Sequence, residues 1–286
     1  MSNFLILITS MLMFFMPLTN ATEYMQGAVL PATVENYTGK NTTIYVIDTG
    51  VDVNNKILEG KAINSDFQPL NFFTGTPDKK CLSHGTAVAA VAHKYAPDAD
   101  IVSLRVLDCD GLGSDVLISQ AIEHIINTDK SNKQKIINLS LNSWNNMPVF
   151  LTELSIEKAT NAGIVVTIAA GNVEADSPIR DACLRSPSRV SNALTIGGYN
   201  PYTNDKAPYT AIGNCVDIYA PSDYMIPDIE EGKTVFKTGT SFASPYAAAM
   251  AARIFEQYPE AKPADVNATI ANKSNFEDFI KMESAE

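Results

Sequence analysis

Short runs of β-branched residues alternate along this chain with longer segments that carry an apolar face. The clearest run is 43–47 (TIYVI), which leads directly into Asp48. Further runs lie at 100–107, 136–141 and 164–170, and helical patterns lie between them at 114–127 and 148–162. Strands that alternate with helices of this length predict a parallel sheet covered on both faces. We therefore expect a doubly wound, mostly parallel α/β sheet with helices on both faces, in a single domain.

The N-terminus has the pattern of a secretory signal peptide. Residues 4–18 are apolar, which is short of the roughly 20 residues that a membrane-spanning helix requires. Small residues follow at Thr19 and Ala21, as a cleavage site requires, although no Lys or Arg precedes the run. We expect cleavage after about residue 21, secretion and no stable membrane association, with residues 22–286 forming the folded domain. A membrane anchor is the alternative.

The overall charge limits the classes of molecule that this chain is expected to bind. The 286 residues carry a formal net charge of −11, so a nucleic-acid partner is not expected, because phosphate binding needs a basic face. A hydrophobic content of 45% is enough for one large core, and we expect a monomer.

Four cysteines, Cys81, Cys109, Cys183 and Cys215, fit a secreted protein with disulfides. Four cysteines allow three pairings, and spacing alone does not choose among them. Zinc is a poor alternative because the chain has no CxxC pair. Sequons for N-glycosylation begin at Asn36, Asn41, Asn138, Asn267 and Asn272, and the apolar run around Asn138 predicts that this one is buried.

Three candidate catalytic groups stand at the ends of predicted elements. Asp48 follows a strand, and His84 lies at the start of a helix. Ser241 lies at the start of a second helix, in which residues 247–252 are nearly all alanine. In open α/β sheets such positions meet at the carboxyl ends of the strands. A hydroxyl, an imidazole and a buried carboxylate are the groups that nucleophilic serine catalysis needs. The alternatives are an N-cap role for Ser241, a capping or core histidine, and a strand-end turn for Asp48.

Four motifs together resemble the subtilisin-like serine proteases, in the branch of proteinase K and aqualysin. They are VIDTGVD at 46–52, SHGT at 83–86, AAGN at 169–172 and GTSFASP at 239–245. The resemblance runs from about residue 43 to 271 and implies an endopeptidase that forms an acyl-enzyme. It implies Ser241 as nucleophile, His84 as general base and acid, Asp48 as the group that orients His84, and Asn172 as an oxyanion-hole donor.

The resemblance also implies how a polypeptide substrate binds, as an added antiparallel strand. Neither wall of the implied primary pocket contains an acidic residue, which argues against selectivity for Lys or Arg and favours broad specificity with an apolar or aromatic preference. The implied edges are Gly111, Leu112 and Gly113 on one side and Ser140, Leu141 and Asn142 on the other, and Ala169, Ala170 and Gly171 form the second pocket wall.

Two further features follow from the resemblance. The implied disulfides are Cys81–Cys109 and Cys183–Cys215. No cofactor is needed for the chemistry, but the branch often binds a structural calcium, and that site maps to Ser191, Ala193 and Asp217.

Two of the chain's departures from the family pattern bear on its function. Asn142 stands where the family has glycine, which predicts a narrower or more polar groove. No propeptide is expected between residue 21 and Asp48, so a separately encoded folding chaperone or inhibitor is an expected partner class. The competing functions are a catalytically silent binding module with this fold and a membrane-tethered processing protease.

Overall fold

The computed structural model describes residues 34–67, 77–143, 147–173, 177, 179–200, 203, 205–227 and 234–272. The expected signal peptide at 1–21 lies outside these residues. Within them, none of the helices combines the length and the apolar composition that crossing a bilayer requires.

The centre of the fold is an eight-stranded sheet with the order β2-β3-β1-β4-β5-β6-β7, in which β8 also pairs with β6. All of its pairings are parallel except that of β6 with the short β7. A separate antiparallel pair is formed by β9 and β10. The strands are β1 (Thr42–Asp48), β2 (Ala62–Asn64), β3 (Asp100–Arg105), β4 (Gln134–Leu139), β5 (Val165–Ala169), β6 (Leu194–Asn200), β7 (Asp205–Lys206), β8 (Ile218–Pro221), β9 (Asp223–Pro227) and β10 (Thr234–Thr238).

Within the described residues, five α-helices cover the sheet. They are α1 (Ser83–Tyr95), α2 (Asp115–Thr128), α3 (Phe150–Asn161), α4 (Thr240–Gln257) and α5 (Pro263–Ala271). The same part of the chain has 3₁₀ turns at Lys56–Leu58 and Ala182–Leu184. A side-chain cap marks the start of α2. The Ser114 hydroxyl accepts a hydrogen bond from the Leu117 N–H at 3.2 Å.

The two faces of the sheet build two separate cores, as alternation along a strand requires. In β1, Ile44 and Val46 pack with α1 and α4 on one face. Tyr45 and Ile47 point the other way and pack with α2 and α3. Helix α4 is almost entirely buried, and its alanines at 247–249, 251 and 252 are completely shielded from solvent. Both faces are therefore covered, and the predicted doubly wound architecture is confirmed.

The principal strands and helices lie where the sequence predicts them, but several short strands were not predicted. Strand β2 falls in a segment whose polar, turn-rich sequence predicts no strand. It forms because its three residues pair with β3, which makes β2 the edge strand of the sheet. The two-residue β7 and the β9–β10 pair just before α4 were not predicted either.

Both disulfides form with the pairing that the resemblance implies. Cys81 is bonded to Cys109 and Cys183 to Cys215. The first joins the start of α1 to the loop after β3, and the second joins the 3₁₀ turn at Ala182–Leu184 to the segment before β8.

Candidate active site

The carboxyl ends of β3, β1 and β4 meet at one edge of the sheet. Strand β1 lies between the other two. The chain leaves β1 toward β2 on one side and later crosses from β3 to β4 on the other, so the direction of the strand order reverses. An open α/β sheet has its crevice at such a reversal. Asp48, the last residue of β1, therefore lies on the floor of this crevice.

Asp48 is completely buried and is bonded to His84. The Asp48 Oδ1 atom lies 2.8 Å from His84 Nδ1 and also accepts from the Thr49 N–H at 2.7 Å. Its Oδ2 atom is shielded from solvent and has no hydrogen-bond partner in the described part of the chain. The approach of α1 depends on Gly85, because a Cβ there would lie 2.2 Å from the Gly50 carbonyl oxygen.

The surroundings of His84 shift its pKa upward. Burial disfavours the charged imidazolium and lowers the pKa. The negative charge of Asp48 and its hydrogen bond act against burial, and Lys237 on β10 lowers the pKa a little. Together these effects raise the pKa of His84 above its ordinary value of 6.5. The side chain keeps 37% of its surface exposed, so its outer edge is accessible from the crevice.

Ser241 is the second residue of α4, and the residue after it packs against the histidine. The Phe242 ring lies 5.8 Å from the His84 ring, centroid to centroid, which brings the two elements together. The N-cap of α4 is Gly239, and the Ser241 hydroxyl instead donates to the Ser140 carbonyl oxygen at 3.3 Å. The alternative that Ser241 serves only as an N-cap is therefore wrong. No hydrogen bond joins Ser241 to His84, both of which the structure describes.

A proline explains a second contact between Ser140 and Ser241. Pro245 lies inside α4 and has no N–H, so it cannot donate to the Ser241 carbonyl four residues earlier. The Ser140 hydroxyl donates to that carbonyl instead, at 2.7 Å. The two serines thus exchange hydrogen bonds, and the backbone of Ser241 is fixed against the loop after β4.

The Ser140 hydroxyl belongs to a buried polar network beneath the helix start. It accepts from Asn138 Nδ2 at 2.9 Å, and Asn138 Oδ1 accepts from Ser244 at 2.8 Å. Thr167 on β5 contributes a hydroxyl 3.1 Å from that of Ser244. Asn138, Thr167 and Ser244 are fully shielded from solvent, as the sequence predicted for Asn138. The network ties β4, β5 and α4 together below the nucleophile candidate.

Asn172 stands beside the helix start with its amide orientation fixed. Its Oδ1 atom accepts from the Thr240 N–H at 2.9 Å and the Thr240 hydroxyl at 3.1 Å. The Thr240 hydroxyl also accepts from the Gly171 N–H at 3.2 Å. The Asn172 Nδ2 group and the Ser241 N–H have no partners among the described residues, so both can donate to a bound group.

The expected substrate edge at Gly111, Leu112 and Gly113 is an exposed turn after β3. Two hydrogen bonds, both of 2.8 Å, join Leu112 to Asp108 within the turn. The Asp108 N–H donates to the Leu112 carbonyl oxygen, and the Leu112 N–H donates to Asp108 Oδ1. The backbone groups of Gly113 make no hydrogen bonds among the described residues. This edge can therefore pair with another chain through Gly113.

The opposite edge and the expected pocket walls are tied together by Asn142. Its Nδ2 donates to the Ala169 carbonyl oxygen at 2.6 Å, and its Oδ1 accepts from the Ser188 hydroxyl at 2.6 Å. Ser188 also contacts the Ala169 carbonyl, at 2.9 Å. Residues 140–142 and 169–171 are therefore held close to each other, and Asn142 fills space that the family pattern leaves to a glycine.

The expected calcium ligands lie near β6 and β8. Asp217 precedes β8, and its Oδ2 accepts from the Thr195 N–H at 2.7 Å. Desolvation raises the pKa of Asp217. Ser191 and Ala193 precede β6 and offer backbone carbonyls. No cluster of three or more acidic, histidine or cysteine side chains able to bind a metal occurs within the described residues. The calcium site stays a prediction.

The arrangement agrees with what known proteins show. A family model described as the subtilase family, Peptidase S8, matches residues 39–283. The chain belongs to the subtilase family. The resemblance indicated by the four sequence motifs is thereby confirmed.

Members of the subtilase family from bacteria and yeast are similar over most of this chain. An extracellular serine proteinase of Thermus sp. (strain Rt41A) is 30% identical over 239 residues, which is 82% of this chain and 55% of that protein. The subtilase-type proteinase psp3 of Schizosaccharomyces pombe (strain 972 / ATCC 24843) is 32% identical over 220 residues, 75% of this chain and 47% of that protein. The chain spans about half the length of the curated relatives it matches.

A solved subtilase structure shares the fold. The crystal structure of a cold adapted subtilisin-like serine proteinase superposes with a TM-score of 0.70 at 26% identity, covering 82% of this chain and 83% of that chain.

Sequence reasoning missed three side chains at this site. The sequence marks Thr240 only as part of the GTSFASP motif, but in the structure it fixes the orientation of the Asn172 amide. Ser188 and Arg185 lie in the loop clipped by Cys183, and the structure brings both against the pocket walls. The signal that could have found them is the short distance in sequence from that disulfide.

Proposed function

We propose that this protein is a serine endopeptidase that hydrolyses polypeptides through an acyl-enzyme. The observation that carries the proposal is the hydrogen bond between the buried Asp48 and His84, with the start of α4, where Ser241 precedes Phe242, packed against the His84 ring. A buried carboxylate on Nδ1 fixes the tautomer in which Nε2 can accept a proton.

In the proposed reaction, the Ser241 hydroxyl turns from the Ser140 carbonyl toward His84 Nε2. Catalytic hydrogen bonds are often long or poorly aligned before substrate binds. Ser241 Oγ attacks the scissile carbonyl, His84 takes its proton, and Asp48 stabilises the imidazolium. His84 then gives the proton to the leaving amine, and water hydrolyses the ester by the same steps in reverse order.

The oxyanion of the tetrahedral intermediate needs donors that are already in place. The Asn172 Nδ2 group and the Ser241 N–H have no acceptor among the described residues, and Thr240 fixes the amide of Asn172 by donating twice to its Oδ1. The positive end of the α4 dipole adds to the stabilisation of negative charge there.

The substrate backbone is proposed to bind as a strand between the loops after β3 and β4. These loops leave strands on either side of β1. Strands two positions apart in a sheet are separated by about 10 Å, which is the space that one added strand occupies with its two partners. Gly113 on one edge and residues 140–142 on the other would provide the pairing groups.

We also propose that the protein is secreted. The apolar run at 4–18, the two disulfides and the likeness to a protein named as extracellular support this. The test is N-terminal sequencing of the product recovered from the medium of a secreting host. A protein that starts at Met1 and stays with the membrane fraction would favour the anchored alternative.

The enzyme proposal is tested with that recovered protein and its Ser241→Ala variant. A fluorophosphonate probe should label the parent and not the variant, and only the parent should cleave an unfolded polypeptide. His84→Ala should lose both labelling and cleavage while keeping the circular dichroism of the parent. A folded parent that takes up no label would favour a binding module with a silent site.

A further inference from the structure

The pocket beside the site has a third side, formed by residues 185–188. This segment contacts both walls. The Ser143 N–H donates to the Ser186 carbonyl at 2.8 Å, and Ser188 binds the Ala169 carbonyl and Asn142. Residues 185–188 therefore close the space between 140–142 and 169–171.

The first residue of this segment, Arg185, lies against the pocket wall. A Cβ placed on Gly171 would be 3.1 Å from Arg185 Cδ, 3.5 Å from Nη1 and 3.6 Å from Nε. Gly171 has a φ of +106°, so a side chain there is disfavoured anyway. The guanidinium thus occupies the side of Gly171 where a wall side chain would project, one residue from the oxyanion donor Asn172.

The charge of Arg185 has no acidic partner in the described part of the chain. Its Nη2 donates to the Ile179 carbonyl at 3.3 Å, and its Nε is shielded from solvent without an acceptor. Burial lowers the pKa of Arg185. By contrast, Arg189 on the same loop forms a two-bond pair with Glu153, at 2.7 and 3.1 Å. Among the described residues, Arg185 is therefore a partly desolvated cation beside the pocket wall that has no carboxylate partner.

We propose that Arg185 makes the primary substrate pocket selective for acidic side chains, so that the enzyme cleaves after glutamate or aspartate. A substrate carboxylate would form charge-assisted hydrogen bonds with the guanidinium. The two oxygens of a carboxylate match the planar set of guanidinium donors better than any neutral group does. A lysine or arginine would meet a like charge. A large apolar side chain would cover the guanidinium without satisfying its donors, which costs free energy.

This inference rests on the proposed endopeptidase function and names its substrate class. It replaces the apolar preference that the sequence of the two walls favours, because those walls do not include residue 185.

The test uses four peptides that differ only at the residue before the cleaved bond, which is Glu, Gln, Phe or Lys. The parent should cleave the Glu peptide about tenfold to a hundredfold better than the Gln peptide in kcat/KM, the range for one hydrogen bond to a charged group. In Arg185→Met this ratio should fall to near one, and Arg185→Glu should prefer Lys over Glu.

The matched control is Arg180→Met. It removes the same charge from the same loop, but Arg180 binds the backbone carbonyls of Pro208 and Thr210. Its Glu to Gln ratio should stay at the parent value. Fluorophosphonate labelling of Ser241 reports whether each variant is folded.

The outcomes separate the two proposals. A parent that takes the probe but prefers Phe, or an unchanged ratio in a labelled Arg185→Met, overturns the acidic selectivity and leaves the endopeptidase standing. A parent that takes no probe and cleaves none of the four peptides overturns both.

Discussion

The backbone N–H and the side-chain hydroxyl of Thr240 both donate to Oδ1 of Asn172, at 2.9 and 3.1 Å. One residue thus fixes the amide of another through two hydrogen bonds to the same oxygen. Thr240 touches no reacting atom in this arrangement, and it acts by positioning.

Thr240→Val should therefore lower kcat by about tenfold with little change in KM. A loosely held Asn172 would stabilise the transition state less well than in the parent, whereas binding of the substrate would hardly change. Thr240→Ser keeps the hydroxyl and should restore the parent kcat. Asn172→Ala should lose more, about 10²–10³ in kcat, which is the loss seen when one such donor is removed from subtilisin. A rise in KM with kcat unchanged in Thr240→Val would contradict the positioning role.

The pH profile should reflect the raised pKa of His84. Only the neutral imidazole accepts the serine proton, so kcat/KM should fall as the pH drops through a pKa above 6.5. Lys237→Gln removes a positive charge that lowers this pKa, so the acidic limb should move to higher pH. Asp48→Asn removes the charge that raises it, so the limb should move to lower pH, with kcat reduced about 10⁴-fold. Shifts of the same sign in both variants would contradict this account.

The two disulfides should contribute nearly equal stability. They join residues separated by 28 and 32 positions, and chain entropy assigns about 3–4 kcal/mol to loops of this length. Cys81→Ser with Cys109→Ser, and Cys183→Ser with Cys215→Ser, should each lower Tm by roughly 10 °C in calorimetry. Each double variant serves as the control for the other. A large stability loss in only one of them would show that strain or packing outweighs loop entropy.

The contact between Ser140 and the Ser241 carbonyl predicts coupling with Pro245. Ser140→Ala should lower the free energy of unfolding by about 1–3 kcal/mol, because it leaves a carbonyl without a donor. Pro245→Ala introduces an N–H that can donate to the same carbonyl. Urea unfolding of the two single variants and the double variant should therefore give a loss smaller than the sum. Strict additivity would mean that the new N–H does not reach Ser241.

The sequence predicts the frame of this site well because β-branched runs and motif residues coincide there. Strand β1 ends at Asp48, and α1 and α4 begin next to His84 and Ser241, as expected. Strand β2 was missed because pairing with β3, and not its own composition, makes its residues a strand.

Contacts between residues that lie far apart in the sequence could not be predicted from sequence patterns. Nothing in the segment around Arg185 indicates that it packs on Gly171, because that contact depends on how the loop after the 3₁₀ turn folds back. The direction of the Ser241 hydroxyl depends on a side-chain rotation that no motif specifies.

The complete burial of Asn138 has a consequence for the cell that makes this protein. Its side chain is hydrogen-bonded to Ser140, Thr167 and Ser244 inside the fold, so a glycosylating enzyme could reach it only on a chain that has not yet folded. A sugar added there would leave no room for the network and would block folding. In a host that modifies such sequons, glycan on Asn138 would mark molecules that failed to mature, whereas glycan on the exposed Asn36 or Asn41 would be compatible with the native fold.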